Sequence, residues 1–285
     1  MRSLVVITTD FITSFLVLLL FQLRDLGSKV LSSSDTDFRI VALRALAKTK
    51  KSKFLDEFKQ HFQKWSVQEQ QLGLLLLGDL NIEGGVQMLN GLISQLLDET
   101  LSPKLALDVL SACEKLNDPD LQSKLRLYRQ RQKESADEVS GSELLFGGNA
   151  DKGREIFEDH IGAQCVRCHD AGGSHRQVGP ELKGLGRSKN RAYLLESLLT
   201  PSAKLAEGFE LTMMTLTDGM TMAGRVVQET EKDLKFVSVT GEFKEFTKTE
   251  IRNIQEVRAS SMPPMQGILS PFEIRDLIEF LATWE

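Results

Sequence analysis

The chain has 285 residues, of which 41% are hydrophobic and 26% are charged, and its formal net charge at pH 7 is -5. A chain of this length and composition can fill two modest hydrophobic cores. The small negative charge argues against nucleic acid as a general partner, because phosphate backbones select clustered positive charge. The three cysteines are too few for a disulfide framework.

Residues 1–34 contain an apolar stretch, residues 4–23, that has three interpretations. It is a signal peptide, an uncleaved membrane anchor or the first helix of the region that follows. Arg2 supplies a positive start, Asp10 interrupts the apolar run, and no A-x-A cleavage site follows. The sequence does not choose among the three.

Residues 35–133 are predicted to be helical, because apolar residues recur at spacings of three and four. Helix-pair starts recur near Asp37, Ser66 and Ser102, a period of roughly 30 to 35 residues that is typical of HEAT-like pairs stacked as a solenoid. Such arrays bind proteins or only separate domains, and both readings are open. Cys113 lies on an apolar helical face and is predicted to be a core thiol. Six helices are expected, over residues 40–46, 54–62, 71–80, 86–97, 105–113 and 121–128.

A polar stretch rich in Lys, Glu, Ser and Gly separates this half from the next, and residues 134–146 within it are predicted to be a linker. Beyond the linker, DKGREIF predicts a short helix in which Gly153 permits close helix contact and Phe157 lies near a site. At the C-terminus, SPFEIRDLIEFLATW predicts a helix capped by Ser270, with Pro271 at its first position.

The most specific motif of the chain is CVRCH, which consists of Cys165, Val166, Arg167, Cys168 and His169. C-x-x-C-H is the attachment signature of a c-type haem, in which two thiols add to the vinyl groups and the adjacent imidazole takes an axial position on iron. The alternatives are a redox dithiol and a zinc site completed by His160 and His175. Neither alternative explains the histidine directly after the second cysteine.

Two downstream features extend the haem prediction. Pro180, in the turn-rich stretch VGPELKG, pins a loop whose carbonyl is expected to accept the proton of the second ring nitrogen of His169. A Met thioether is expected as the second axial ligand, and Met262, which precedes a proline, is preferred over Met265. Four other methionines are interpreted as strand residues: Met213, Met214, Met220 and Met222.

The region at about 209–258 changes from a helical to an alternating pattern and predicts four or five short strands. Turns are expected at TDG, residues 217–219, and at TGE, residues 240–242. We expect the strands to close a small SH3-like or Sm-like barrel inserted into the surrounding helical domain. RNA is not an expected ligand, because acidic residues outnumber basic ones and no basic groove carries stacking aromatics.

Eight motifs follow one another in the second half of the chain: GREIF, CVRCH, VGPELKGLG, YLLESLLTPS, GFE, TLTDG, SMP and LSPFEIRDLIEFL. In this combination, residues 147–285 resemble the haem-binding cytochrome c domain of the planctomycete and verrucomicrobial type. The resemblance covers about half of the chain. It leads us to expect a mainly α protein, with a HEAT-like helical solenoid followed by a class I cytochrome c domain that carries a small inserted β-barrel.

The resemblance implies a c-type cytochrome with one covalent haem c, held by Cys165 and Cys168, with His169 and Met262 as iron ligands. Its function would be one-electron transfer between an extracytoplasmic dehydrogenase and another redox protein. No catalytic residue and no catalytic activity of its own are expected. Because such families attach haem outside the cytoplasmic membrane, a periplasmic or otherwise extracytoplasmic location is expected, with the N-terminus as a candidate membrane anchor.

The alternative function is an interaction scaffold, in which the haem is structural or sensory and the helical repeats bind a protein partner. A haem peroxidase is disfavoured, because di-haem bacterial peroxidases need two CxxCH motifs and this chain has one. A low-spin, Met-ligated haem would favour the carrier, and an open haem that binds CO would favour sensing.

Overall fold

A computed structural model describes residues 31, 33–134, 141–169 and 178–285. The chain divides into two compact units, Met1–Ser135 and Ala136–Glu285. The apolar stretch of residues 4–23 and residues 135–140 of the predicted linker lie outside the described residues. Within the described ranges, no helix is both long and apolar enough to cross a bilayer.

The described part of the first unit is built from six α-helices. Their bounds are α1 Thr36–Thr49, α2 Lys51–His61, α3 Val67–Leu80, α4 Glu83–Leu97, α5 Ala106–Glu114 and α6 Pro119–Glu134. Each of the six predicted helical segments falls mainly within one of these helices. Helix α1 contacts α2 and α3, and α3 contacts α5, while α4 contacts both α5 and α6.

Aromatic rings fill the core of the first unit where α2 meets α3. The Phe58 ring stacks on Phe62 with centroids 4.7 Å apart and meets Trp65 edge-on at 5.6 Å. A Cβ added at Gly73 of α3 would lie 2.5 Å from the Phe58 ring, so only glycine lets the two helices approach this closely. Cys113 is fully buried in the same core, which confirms its prediction as a core thiol.

The start of α3 carries a buried ionic cap. Ser66 and Glu69 form a capping box, and the fully buried Glu69 carboxylate also accepts hydrogen bonds from the Arg39 guanidinium, one of them 3.1 Å long. Burial raises the pKa of Glu69, but the hydrogen bonds from Arg39 and Ser66 outweigh it and hold that pKa below its ordinary value. The carboxylate therefore links α1 to the start of α3.

The described part of the second unit combines three α-helices with a five-stranded sheet. All neighbouring strands are antiparallel, in the order β4-β3-β2-β1-β5. The predicted turns at TDG and TGE are confirmed, with Gly219 and Gly241 in the left-handed region at φ +90 and +85. The elements are α7 Ala150–Asp159, α8 Arg191–Leu199, β1 Leu211–Leu216, β2 Thr221–Glu229, β3 Asp233–Ser238, β4 Phe243–Thr247, β5 Ile251–Val257 and α9 Pro271–Thr283.

Helices α7 and α9 pack against each other in direct backbone contact. A Cβ added at Gly153 would lie 2.1 Å from the Asp276 carbonyl oxygen, which confirms that this glycine permits close helix contact. The backbone N–H of Asn149, the N-cap of α7, donates to Asp276 Oδ1 at 2.7 Å. The predicted Ser270 cap and the proline at the first position of α9 are also confirmed.

The fold class predicted from the sequence, a HEAT-like solenoid followed by a class I cytochrome c domain with an inserted β-barrel, is wrong. The strands form an open sheet, in which β5 pairs with β1 and β4 pairs with β3. Neither edge strand has a buried residue, although a closed barrel would bury every second residue of each strand. Alternation predicted the strands but carries no information on whether the two edge strands pair.

The order of the elements also departs from the expected arrangement. Of the nine α-helices in the described residues, eight precede the sheet and one follows it. An open five-stranded sheet among these helices is not the arrangement of a class I cytochrome c. The sequence predicted the capped start of α9 and the two glycine turns of the sheet correctly, because those features depend on near neighbours in the chain, but the packing of the elements depends on distant contacts.

Candidate functional site

The CVRCH motif lies on a tight turn that follows α7. Gln164 has a left-handed φ of +46 and precedes a 3-10 turn, Cys165–Arg167. The backbone N–H groups of Cys168 and His169 both donate to the Cys165 carbonyl, at 3.1 and 2.9 Å. This turn brings the two thiols and the imidazole to the lining of one cavity.

The His169 ring is fixed by the loop that contains Pro180. Its Nδ1 lies 2.9 Å from the Pro180 carbonyl oxygen. Because a carbonyl can only accept a hydrogen bond, Nδ1 carries the proton and Nε2 keeps its lone pair, as a metal-ligating imidazole requires. Burial lowers the pKa of His169, although the Pro180 carbonyl acts in the opposite direction, so the neutral ring is favoured.

Gly179 lets the loop approach this ring. A Cβ added at Gly179 would lie 2.8 Å from His169 Cε1, closer than side chains tolerate. The Gly179 N–H also donates to the Cys168 carbonyl at 3.1 Å, which ties the loop to the CVRCH turn. The loop thus holds the imidazole by one hydrogen bond and by direct contact.

The two thiols are protonated at neutral pH. Burial raises the pKa of Cys165 to about 11 and also raises that of Cys168, where nearby Arg167 acts in the opposite direction. A redox dithiol needs an attacking cysteine whose pKa is depressed, not raised. This electrostatic environment disfavours the redox-dithiol alternative.

The cavity has a volume of about 470 Å³, within the range of roughly 300 to 1,000 Å³ that is typical of sites for cofactors and small molecules. Its lining is largely apolar, which keeps water from any group bound there. Helices α7, α8 and α9 all contribute, together with the loops before β1 and after β5. The aliphatic part of the lining includes Leu182, Leu185, Leu194, Leu198, Leu277 and Leu281.

Both candidate methionine ligands line the cavity, but they are held differently. Met262 is half-buried, and its backbone N–H donates to Ser260 Oγ at 3.1 Å. Met265 is only 3% exposed, and its N–H donates to the Leu198 carbonyl at the end of α8, at 2.8 Å. The structure therefore brings Cys165, Cys168, His169, Pro180, Met262 and Met265 to one cavity.

The other four methionines lie in or beside the sheet. Met213 and Met214 belong to β1 and Met222 to β2, so their prediction as strand residues is confirmed. Met220 lies in the turn between these strands, so that prediction is wrong. The TDG turn extends one residue further than the alternation suggested.

The sequence did not identify several residues that line the cavity. Phe209 and Tyr193 are among them, and each lies within one of the motifs of the second half of the chain, GFE and YLLESLLTPS. Gly179 was also missed, and its position directly before Pro180 was the available signal. Only the spatial approach of these segments to CVRCH shows what they do.

The zinc alternative gains no support from the described residues. His160 Nδ1 accepts hydrogen bonds from the backbone N–H groups of Gly162 and Ala163, at 3.2 and 3.0 Å, so this ring caps a turn. His175 lies outside the described residues. Within them, no group of three or more His, Cys, Asp or Glu side chains could hold a metal ion.

The chain matches no model of a known protein family, and no curated protein is significantly similar to it. The resemblance to the cytochrome c domain family therefore rests on residues and motifs alone.

Proposed function

We propose that the second unit binds one haem c covalently and serves as a one-electron carrier between a dehydrogenase and another redox protein. The observation that carries the proposal is the state of His169. Its Nδ1 is tied to the Pro180 carbonyl, so the lone pair of Nε2 is available at a cavity that both thiols of CxxCH also line. This set of donors matches the chemistry of c-type haem attachment.

The residues present fit such a group. Cys165 and Cys168 would hold it through thioether bonds. Each S–H would add across one vinyl double bond, so that one vinyl carbon gains the sulfur and the other gains the hydrogen. The apolar lining would exclude water from the ring, and a site of this kind raises the reduction potential by disfavouring the extra charge of the oxidised form. When bound, the group supplies a reversible exchange of one electron at iron.

Met262 would be the second residue to hold the iron. It is half-buried at the cavity lining, whereas Met265 packs almost completely into the core beside α8. A thioether ligand would favour the low-spin iron that is suited to electron transfer. The other residues of the cavity would orient the group and shield it from water.

The same proposal includes a location and partners. Attachment of a c-type haem implies export, so we place the protein in the periplasm or another extracytoplasmic space. An electron donor of the dehydrogenase type and a second redox protein as acceptor are the proposed partners. The helical first unit is proposed to bind a protein.

The test is denaturing electrophoresis followed by haem staining of protein made in a host competent for c-type haem maturation. Wild-type protein should keep stain on the denatured band, and the double variant Cys165→Ser/Cys168→Ser should lose it. Cys113→Ala is the matched control, because Cys113 belongs to the core of the first unit and should leave the stain unchanged. An unstained wild-type band, or zinc bound in place of iron, would refute the proposal.

A further inference from the structure

The sheet of the second unit shares a wall with the cavity. Val178, Phe209 and Ser261 line the cavity and also line a small cleft whose other side is formed by the sheet. The sheet residues at this cleft include Arg225 on β2 and Val237 on β3. The sheet therefore supports part of the cavity wall directly.

Arg225 makes the most specific contact across this cleft. Its guanidinium carbon lies 4.3 Å from the centre of the Phe209 ring, and its Nη1 donates to the Gly208 carbonyl at 3.0 Å. Gly208 turns the chain with a left-handed φ of +77. A planar guanidinium can stack on a ring and bond a carbonyl at the same time, and such a contact strengthens where water is excluded.

The loop that Arg225 holds is bonded to the segment that carries Met262. Leu211 and Val257 are paired at the ends of β1 and β5, so the chain before β1 and the chain after β5 leave the sheet side by side. The Ser260 N–H then donates to Ser202 Oγ at 3.1 Å. Because Ser260 Oγ in turn accepts from the Met262 N–H, the loop at residues 202–209 and the methionine form one hydrogen-bonded wall.

We propose that Arg225 is a positioning residue of the cavity. Its side chain holds Phe209 and Gly208 against the sheet, and in this way it keeps Met262 at the cavity and excludes competing ligands. This inference rests on the proposed function where it concerns iron ligation. The sheet then takes part in the site, because a side chain of β2 holds the cavity wall that carries Met262.

The first measurement is titration of the ferric full-length protein with imidazole, an external ligand that competes with Met262. Arg225→Gln should bind imidazole about tenfold more tightly than wild type and weaken the long-wavelength absorption band of Met-ligated ferric haem. Phe209→Leu should raise the imidazole affinity in the same way. The imidazole affinity of Arg225→Lys should lie between those of wild type and Arg225→Gln, because an ammonium keeps the charge but loses the planar stack. Arg252→Gln, on the exposed edge strand β5, is the matched control, and its imidazole affinity and absorption band should equal those of wild type.

The second measurement, amide hydrogen exchange, does not require haem. Arg225→Gln should speed exchange about tenfold in peptides covering residues 202–211 and 258–265, and leave α7 and α9 unchanged. The inference is overturned if hydrogen exchange is unchanged in both peptides and the imidazole affinity is also unchanged. It is overturned as well if exchange speeds up equally across the whole unit, because Arg225 would then be merely structural. If the wild-type protein holds no haem, the proposed function fails, and exchange alone then supports or overturns the positioning role.

Discussion

The imidazole of His169 is held by backbone groups of the loop that contains Pro180. The Pro180 carbonyl oxygen lies 2.9 Å from Nδ1, and a Cβ added at Gly179 would lie 2.8 Å from Cε1 and 3.0 Å from Nδ1. Sequence analysis predicted a supporting carbonyl on this loop, because proline limits the conformations that the loop can adopt. It did not predict the close contact of Gly179, since contact distances depend on how the loop packs on the CVRCH turn.

Gly179→Ala should displace the His169 ring, because the added Cβ would lie 2.8 Å from Cε1. We expect unfolding to become about 1 to 3 kcal/mol easier, as in other overpacked sites, together with a loss of haem content per chain. Gly267→Ala is the control, since a Cβ there meets nothing within 4 Å. Urea denaturation and haem quantification measure both effects, and equal behaviour of the two variants would contradict the prediction.

Met262→Leu should abolish the long-wavelength absorption band of the Met-ligated ferric haem with little loss of stability. Met262 is half-buried, and leucine conserves most of its volume but has no sulfur to donate. Met265→Leu should keep the band, because Met265 acts as a core residue beside α8. Loss of the band only in the Met265 variant would assign the ligand to Met265 instead.

Individual elements were predictable where their signals are local. The six helices of the first unit, the Ser270 cap of α9 and the two glycine turns of the sheet follow from spacing and capping residues that lie within one turn of one another. The closure of the sheet was predicted wrongly, because pairing of edge strands joins residues far apart in the chain. The exposed side chains of β4 and β5 were visible in the sequence only as ordinary alternation.

The ionic cap of α3 should make the first unit sensitive to acid. Glu69 has a folded-state pKa below its ordinary value of 4.5, so its contribution to stability is complete above pH 4.5 and is lost as the pH falls through the folded-state pKa. Glu69→Gln should lower the free energy of unfolding by about 2 to 3 kcal/mol at pH 7, and by less at pH 3. Urea denaturation at the two pH values measures this difference.

Glu83→Gln is the control for that experiment, because Glu83 lies in the first turn of α4 but is exposed. It should change stability by no more than about 0.5 kcal/mol at either pH. A Glu69 variant whose destabilisation is the same at pH 3 and pH 7 would show that packing, and not the carboxylate charge, holds α1 and α3 together.

At the scale of the whole molecule, each of the two units has hydrophobic packing of its own. The core of the first unit consists of residues from α1 to α6, and that of the sheet includes Met214, Leu234 and Phe236. Every residue of the candidate site lies in the second unit. Because the two units have separate cores and are joined by a polar sequence, we expect each of them to fold independently.

A fragment of residues 141–285 should therefore fold and bind haem without the first unit. Its visible spectrum and reduction potential should equal those of the full-length protein, because every described residue that lines the cavity belongs to the second unit. Purification of the fragment from a haem-maturation host, followed by redox titration, measures this. An insoluble haem-free fragment, or a potential far from that of the full chain, would show that the first unit takes part in the site.

The sequence by itself determined the chemistry that the site can offer: two cysteines and a histidine in fixed order, a proline loop to support the ring and two methionines near the C-terminal helix. These signals depend on residue type and short spacing. Only the tertiary structure decided that the sheet stays open, that Met262 and Met265 differ in burial, and that Arg225 supports the cavity wall through Phe209. Those features arise from contacts between segments distant in the chain, whose geometry no local pattern encodes.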